Sequence, residues 1–115
     1  DSGHTLEIKQ GGSAEIRNSV FEGSPAEDDI QTQLNGPVLI ECNRFGGTPG
    51  EDNIDLKSGG PVTVRNNTFT ANPGSGETIV AQNSTSPVHF INNTGVRYIF
   101  YEAGQHLAKI LPAES

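Results

Sequence analysis

One feature constrains this chain more than any other: it repeats its own plan. Ser13 to Gly36 and Pro37 to Gly60 are each 24 residues long, and Pro61 to Ser86 has 26. Thr5 to Gly12 matches the end of a copy, and a partial copy starts at Pro87 and loses the pattern after Thr94. Self-similarity at a period in the twenties marks a solenoid, in which each unit buries its apolar face only by stacking on its neighbours.

Aligning the copies at Ser13, Pro37, Pro61 and Pro87 produces columns. Ala14, Val38, Val62 and Val88 form one; Ile16, Ile40, Val64 and Phe90 form a second. Asn18, Cys42, Asn66 and Asn92 form a third, and Phe21, Phe45 and Phe69 a fourth that Gly95 breaks. Later in each copy come Ile30, Ile54 and Ile79, with Leu6 one period earlier. Apolar and polar residues alternate in these runs, which is the period of a strand. The runs are too short for helices and rich in β-branched residues, and Gly, Pro, Asn and Ser cluster between them. The expected fold is therefore all-β: a right-handed parallel β-helix of about four coils over residues 5–95, capped by a tail over 96–115, in one domain. The right hand follows from the handedness of parallel crossovers.

The columns carry further expectations. Stacked amides at Asn18, Asn66 and Asn92 would form an inward ladder at the strand spacing, and Asn suits the left-handed bend of a coil corner. On this view Cys42 is a small buried hydrophobe. Arg17, Glu41 and Arg65 should pair in an outward row, and Lys9, Gln33, Lys57 and Gln82 should form a solvated one. Three Asn-X-Thr sequons occur, at Asn66, Asn83 and Asn92. An inward ladder would leave Asn83 as the accessible acceptor. In the tail, Val96 to Tyr101 is aromatic and apolar, and Glu102 to Ile110 is expected to form a short helix stopped by Pro112.

Composition sets limits. Hydrophobic residues make up 32% of the chain, with no Trp or Met, which suits a narrow solenoid core better than a globule. The net charge of −7 argues against nucleic acid and against anionic membranes. No apolar run approaches about 18 residues, so no helix would span a membrane. A single cysteine excludes an internal disulfide. The start at Asp1, with no signal peptide, suits a mature or trimmed product.

The acidic corner is the chemical feature. Asp28, Asp52 and Glu77 sit two positions before the column isoleucines; Glu27 and Glu51 sit three before, and Asp29 and Asp55 flank them. Carboxylates one coil apart repel, at about 3 kcal/mol for 5 Å and an effective dielectric of 20. They persist if solvated or if a cation bridges them. Calcium suits hard oxygen ligands spread over two coils, and Glu27, Asp28, Glu51, Asp52 and Asp55 are its candidate ligands.

The run Glu51-Asp52-Asn53-Ile54-Asp55-Leu56-Lys57, followed by Val62, Val64, Asn66, Asn67 and Phe69, resembles right-handed parallel β-helix proteins of the pectate lyase type. The coil pattern covers Thr5 to Thr94. The resemblance implies a secreted or extracellular protein acting on or binding acidic polysaccharide. It implies calcium at a D-D-x-x-D run whose places Glu51, Asp52 and Asp55 take, with Glu27 or Asp28 supplying the acid of the preceding coil. Lyases of that type use a basic residue to abstract the proton beside a uronate carboxylate; Lys57 is the nearest basic residue, though not at the family's spacing. The other function class is a structural module that self-associates through its open N-terminal edge.

Overall fold

The computed structural model describes residues 3, 5–9, 12–57, 60–70, 79–82, 88–95, 99–102 and 108–110. Every described element is a strand. Three parallel sheets run along the stack. Sheet I contains, in spatial order, β1 (Leu6–Ile8), β4 (Ile30–Thr32), β7 (Ile54–Leu56), β10 (Ile79–Gln82) and β12 (Ile99–Glu102). Sheet II contains β2 (Ala14–Arg17), β5 (Val38–Glu41), β8 (Val62–Arg65), β11 (Val88–Ile91) and β13 (Ala108–Ile110). Sheet III is short: β3 (Val20–Phe21), β6 (Arg44–Phe45) and β9 (Thr68–Phe69). The register follows the sequence alignment. Leu6 pairs with Ile30, Ile30 with Ile54 and Ile54 with Ile79; Ile16 pairs with Ile40, Ile40 with Val64 and Val64 with Phe90.

Stacking makes the core. Ile30, Ile40, Ile54, Val64, Ile79 and Phe90 are completely buried, each contributing roughly 1.5–3 kcal/mol of transfer free energy. The phenylalanine column stacks face to face: Phe21 to Phe45 at 5.0 Å and Phe45 to Phe69 at 4.7 Å, with planes within 8°. The column ends at Gly95, which is left-handed (φ 85°) and so close to the Phe69 carbonyl that a Cβ would run into it. Outside, Glu41 bridges Arg17 (3.1 Å) and Arg65 (2.7 Å), as the alternating charges imply.

Two expectations are corrected. The amide ladder lies one position later than the column at Asn18, Cys42, Asn66 and Asn92. All four of those residues adopt positive φ (52–59°) and are exposed. That left-handed step turns their side chains outward and directs the next residue inward. Asn43, Asn67 and Asn93 therefore form the buried ladder. Asn43 Nδ2 donates to Asn67 Oδ1 and Asn67 Nδ2 to Asn93 Oδ1, both at 3.0 Å, while the same amides also donate to the Ile16 and Ile40 carbonyls. Cys42 is exposed rather than buried, and Asn66 and Asn92 are exposed sequon residues. Asn83 and Glu77 lie outside the described residues.

The tail is the second correction. Of the span 102–110 expected as a helix, the described residues are strand: Glu102 ends β12 and Ala108–Ile110 is β13, and the two strands extend sheets I and II. Ile79 pairs with Ile99 and Phe90 with Ile110. The chain therefore adds strands to the stack beyond Thr94, in register with the coils before them.

Candidate metal centre

The acidic corner lies where the chain passes from sheet III to sheet I. Two successive corner segments, 23–29 and 46–53, lie flush on one another because glycine allows it. A Cβ on Gly47 would run into the Gly23 carbonyl oxygen, and one on Gly50 into that of Ala26. Main-chain bonds fix the stack: Gly50 N donates to Pro25 O (2.8 Å), Glu51 N to Glu27 O (2.8 Å) and Asp29 N to Asp52 O (3.1 Å). Gly3 joins from the preceding level, its carbonyl accepting from Glu27 N at 2.7 Å.

This stacking brings the acids of two coils together. Asp28, Asp52 and Asp55 each offer a carboxylate oxygen within 4.8 Å of the others, and all three are buried. Glu27, Asp28 and Glu51 form a second trio of the same span, running from buried Asp28 to exposed Glu51. Solvation therefore accounts for Glu51 but not for the inner trio. All five sequence candidates lie at one corner, and Asp28 belongs to both trios.

Each inner acid is held. Asp28 Oδ1 accepts from Asp52 N at 3.0 Å. Asp55 projects from β7 opposite Gln31 of β4, and its Oδ2 accepts from Gln31 Nε2 at 3.3 Å. Lys57 Nζ lies 3.8 Å from the same Oδ2, so the candidate base sits beside the carboxylates. Asp55 Oδ1 is buried and has no hydrogen-bond donor among the described residues. Burial, and then the charge of Asp55, push the Asp28 carboxyl up to about 8; the Asp52 N–H opposes this and the Asp52 charge adds to it.

A polar pair lies behind the trio. Asn53 Nδ2 donates to Asp29 Oδ2 at 3.0 Å, and both residues are completely buried. Burial pushes Asp29 up to about 6, against the pull of that amide. Gln31 and Asn53 were not singled out from the sequence. The signal was present, since Gln31 is in register with Asp55 and Asn53 with Asp29, one coil apart.

The donor set fits a hard divalent cation. Three carboxylates from two coils, one with an unmet buried oxygen, supply anionic oxygens at a single point. Coordination by six to eight oxygens would be completed by water or by a ligand's own carboxylate.

A family model described as a right handed beta helix region matches residues 1–99. No curated protein and no solved structure matches the chain.

Proposed function

This chain belongs to the right-handed β-helix family, and on that premise we propose that it is a calcium-dependent binding protein for acidic polysaccharide. The observation that carries this is the buried trio of Asp28, Asp52 and Asp55. Three buried like charges within 4.8 Å oppose folding unless a proton or a cation neutralises them. At neutral pH Asp28 holds such a proton, and a divalent cation would displace it and neutralise all three. When bound, it supplies the positive charge that captures a uronate carboxylate in a protein otherwise too acidic to attract one.

The protein's own groups do the rest. Asp55 and Lys57 lie on β7 and immediately beyond it, where Ile54 and Leu56 point into the core. Asp55 therefore occupies the outer side of sheet I. Lys57 and exposed Lys9 occupy one row of that face, a coil apart on either side of Gln33. Cations so placed would contact successive carboxylates of an extended acidic chain. The exposed acid Glu51 marks the entrance from solvent.

Calorimetry with calcium, then with oligogalacturonate in calcium and in chelator, tests this proposal. Calcium should bind, and the oligosaccharide should bind only with calcium present; a neutral oligosaccharide should not bind. Saccharide binding that chelator leaves unchanged would refute it. Ultraviolet detection of an unsaturated product in the same mixture decides whether Lys57 also takes a proton in a β-elimination.

A further inference from the structure

The acidic corner is built on two coils in parallel register, and its four inner positions are aligned in pairs. Asp28 and Gln31 lie three residues apart in the coil that carries β4, and Asp52 and Asp55 three apart in the coil that carries β7. Asp28 Oδ1 accepts from Asp52 N, and Gln31 stands opposite Asp55. All four residues are buried, Gln31 at 7% exposure. Gln31 thus holds the one inner position of this set that carries no charge.

Its amide acts on a single oxygen. Gln31 Nε2 donates to Asp55 Oδ2 at 3.3 Å, and Lys57 Nζ lies 3.8 Å from the same oxygen. Asp55 Oδ1 is buried and has no hydrogen-bond donor among the described residues. The two neighbours therefore tie one side of the carboxylate and leave the other bare. A bare buried carboxylate oxygen is costly unless a cation meets it. Of the two ties Lys57 is the looser, since its side chain is partly exposed. The residue type at position 31 also matters for charge. One coil earlier, Glu7 is in register with Gln31 and pairs with Lys9 at 3.8 Å. A carboxylate at position 31 would stack three acids in one row, and an apolar residue would leave Asp55 Oδ2 to Lys57.

We propose that Gln31 is a positioning residue of the metal centre, a role that rests on the calcium binding proposed above. Its amide ties Asp55 Oδ2 to the coil that carries Asp28, and so leaves Oδ1 for the cation. The tie is in place before a cation arrives, because Gln31 is held by burial on β4 rather than drawn in from solvent. At 3.3 Å the bond is long for N–H···O, so it contributes direction more than strength. Removing a hydrogen bond that orients a ligating group typically weakens metal binding roughly ten- to a hundredfold.

Calorimetry with calcium on the full chain, natural and Gln31→Met, tests the proposal. Methionine keeps the length of the side chain and removes the donor. Calcium affinity should fall roughly ten- to a hundredfold, and the melting temperature should fall more in calcium than in chelator. Gln31→Asn keeps the amide but withdraws it by one methylene, and should lose affinity in the same direction. Terbium, which takes the same oxygen ligands and luminesces, gives a further readout. Its lifetimes in water and heavy water count the waters on the ion, and both variants should carry more of them, because a released Asp55 gives up its place to water. Affinity equal to the natural chain's in both variants would overturn the proposal and leave calcium binding standing. Unchanged ion hydration would overturn it too, as would equal melting losses in calcium and in chelator, which mark a residue that serves the fold alone. A natural chain that binds no calcium would overturn both this role and the calcium-dependent function.

Discussion

Asp28→Asn isolates the electrostatics of the acidic corner. The substitution keeps an oxygen that can accept from Asp52 N and removes one of three crowded charges. The Asp28 carboxyl is raised from 3.8 to about 8. A carboxyl raised on folding holds a proton that the unfolded chain has released. Its stabilising contribution is complete below about pH 4 and is lost as pH rises to about 8. The variant has no such loss. Its advantage over the natural chain, without calcium, should therefore be near zero at pH 4 and grow up to pH 8. One like-charge pair about 5 Å apart at an effective dielectric of 20 sets the scale, about 3 kcal/mol. For a domain of this size that is roughly 10 °C in melting temperature. Calcium at a hundred times its dissociation constant should raise the natural chain by about 2.7 kcal/mol at pH 8.5 and the variant by much less. Thermal melts at pH 4, 6 and 8.5, with calcium and with chelator, check both effects. Identical pH profiles for the two proteins, or an undiminished calcium response in the variant, would mean that Asp28 neither carries the crowded charge nor holds the cation.

Other perturbations read the stack itself. Cys42 holds a left-handed conformation that asparagine takes at Asn18, Asn66 and Asn92. Cys42→Asn should stabilise by about 0.5–1 kcal/mol, seen as a higher urea midpoint, because asparagine tolerates that conformation better. Asn67→Ala removes the amide oxygen that accepts from both Asn43 N and Asn43 Nδ2, and the amide nitrogen that donates to the Ile40 carbonyl and to Asn93 Oδ1. It should cost about 3 kcal/mol or more by denaturant titration. Ile40→Asp buries an unpaired charge at the centre of a narrow core and should abolish the cooperative melt.

The stack was legible in the sequence because every coil repeats the same inward positions. Ile16, Ile40, Val64 and Phe90 pair in the order that the alignment gives. The ladder was misplaced by one residue because Asn66-Asn67 and Asn92-Asn93 offer two adjacent asparagine columns. Only the backbone distinguishes the left-handed residue from the one it turns inward. The tail was misread because the spacing shortens there: Ile79 to Ile99 and Phe90 to Ile110 are each 20 residues apart, against 24 from Ile16 to Ile40. The acidic corner was visible as a charge column. Its burial was not, because that depends on how closely the Gly47 and Gly50 backbone lies on the coil before it. The sequence also left Glu27 and Asp28 as equivalent donors. The fold separates them, placing Asp28 with Asp52 and Asp55, and Glu27 with Glu51 as a second neighbour of Asp28.

A crystal structure of the protein grown in calcium would show the acidic corner with its cation. A cation should lie at the corner between the first two full coils, with oxygens of Asp28, Asp52 and Asp55 at roughly 2.3–2.6 Å from it. Crystals in which calcium sits elsewhere, or in which these carboxylates hold only one another and water, would contradict it.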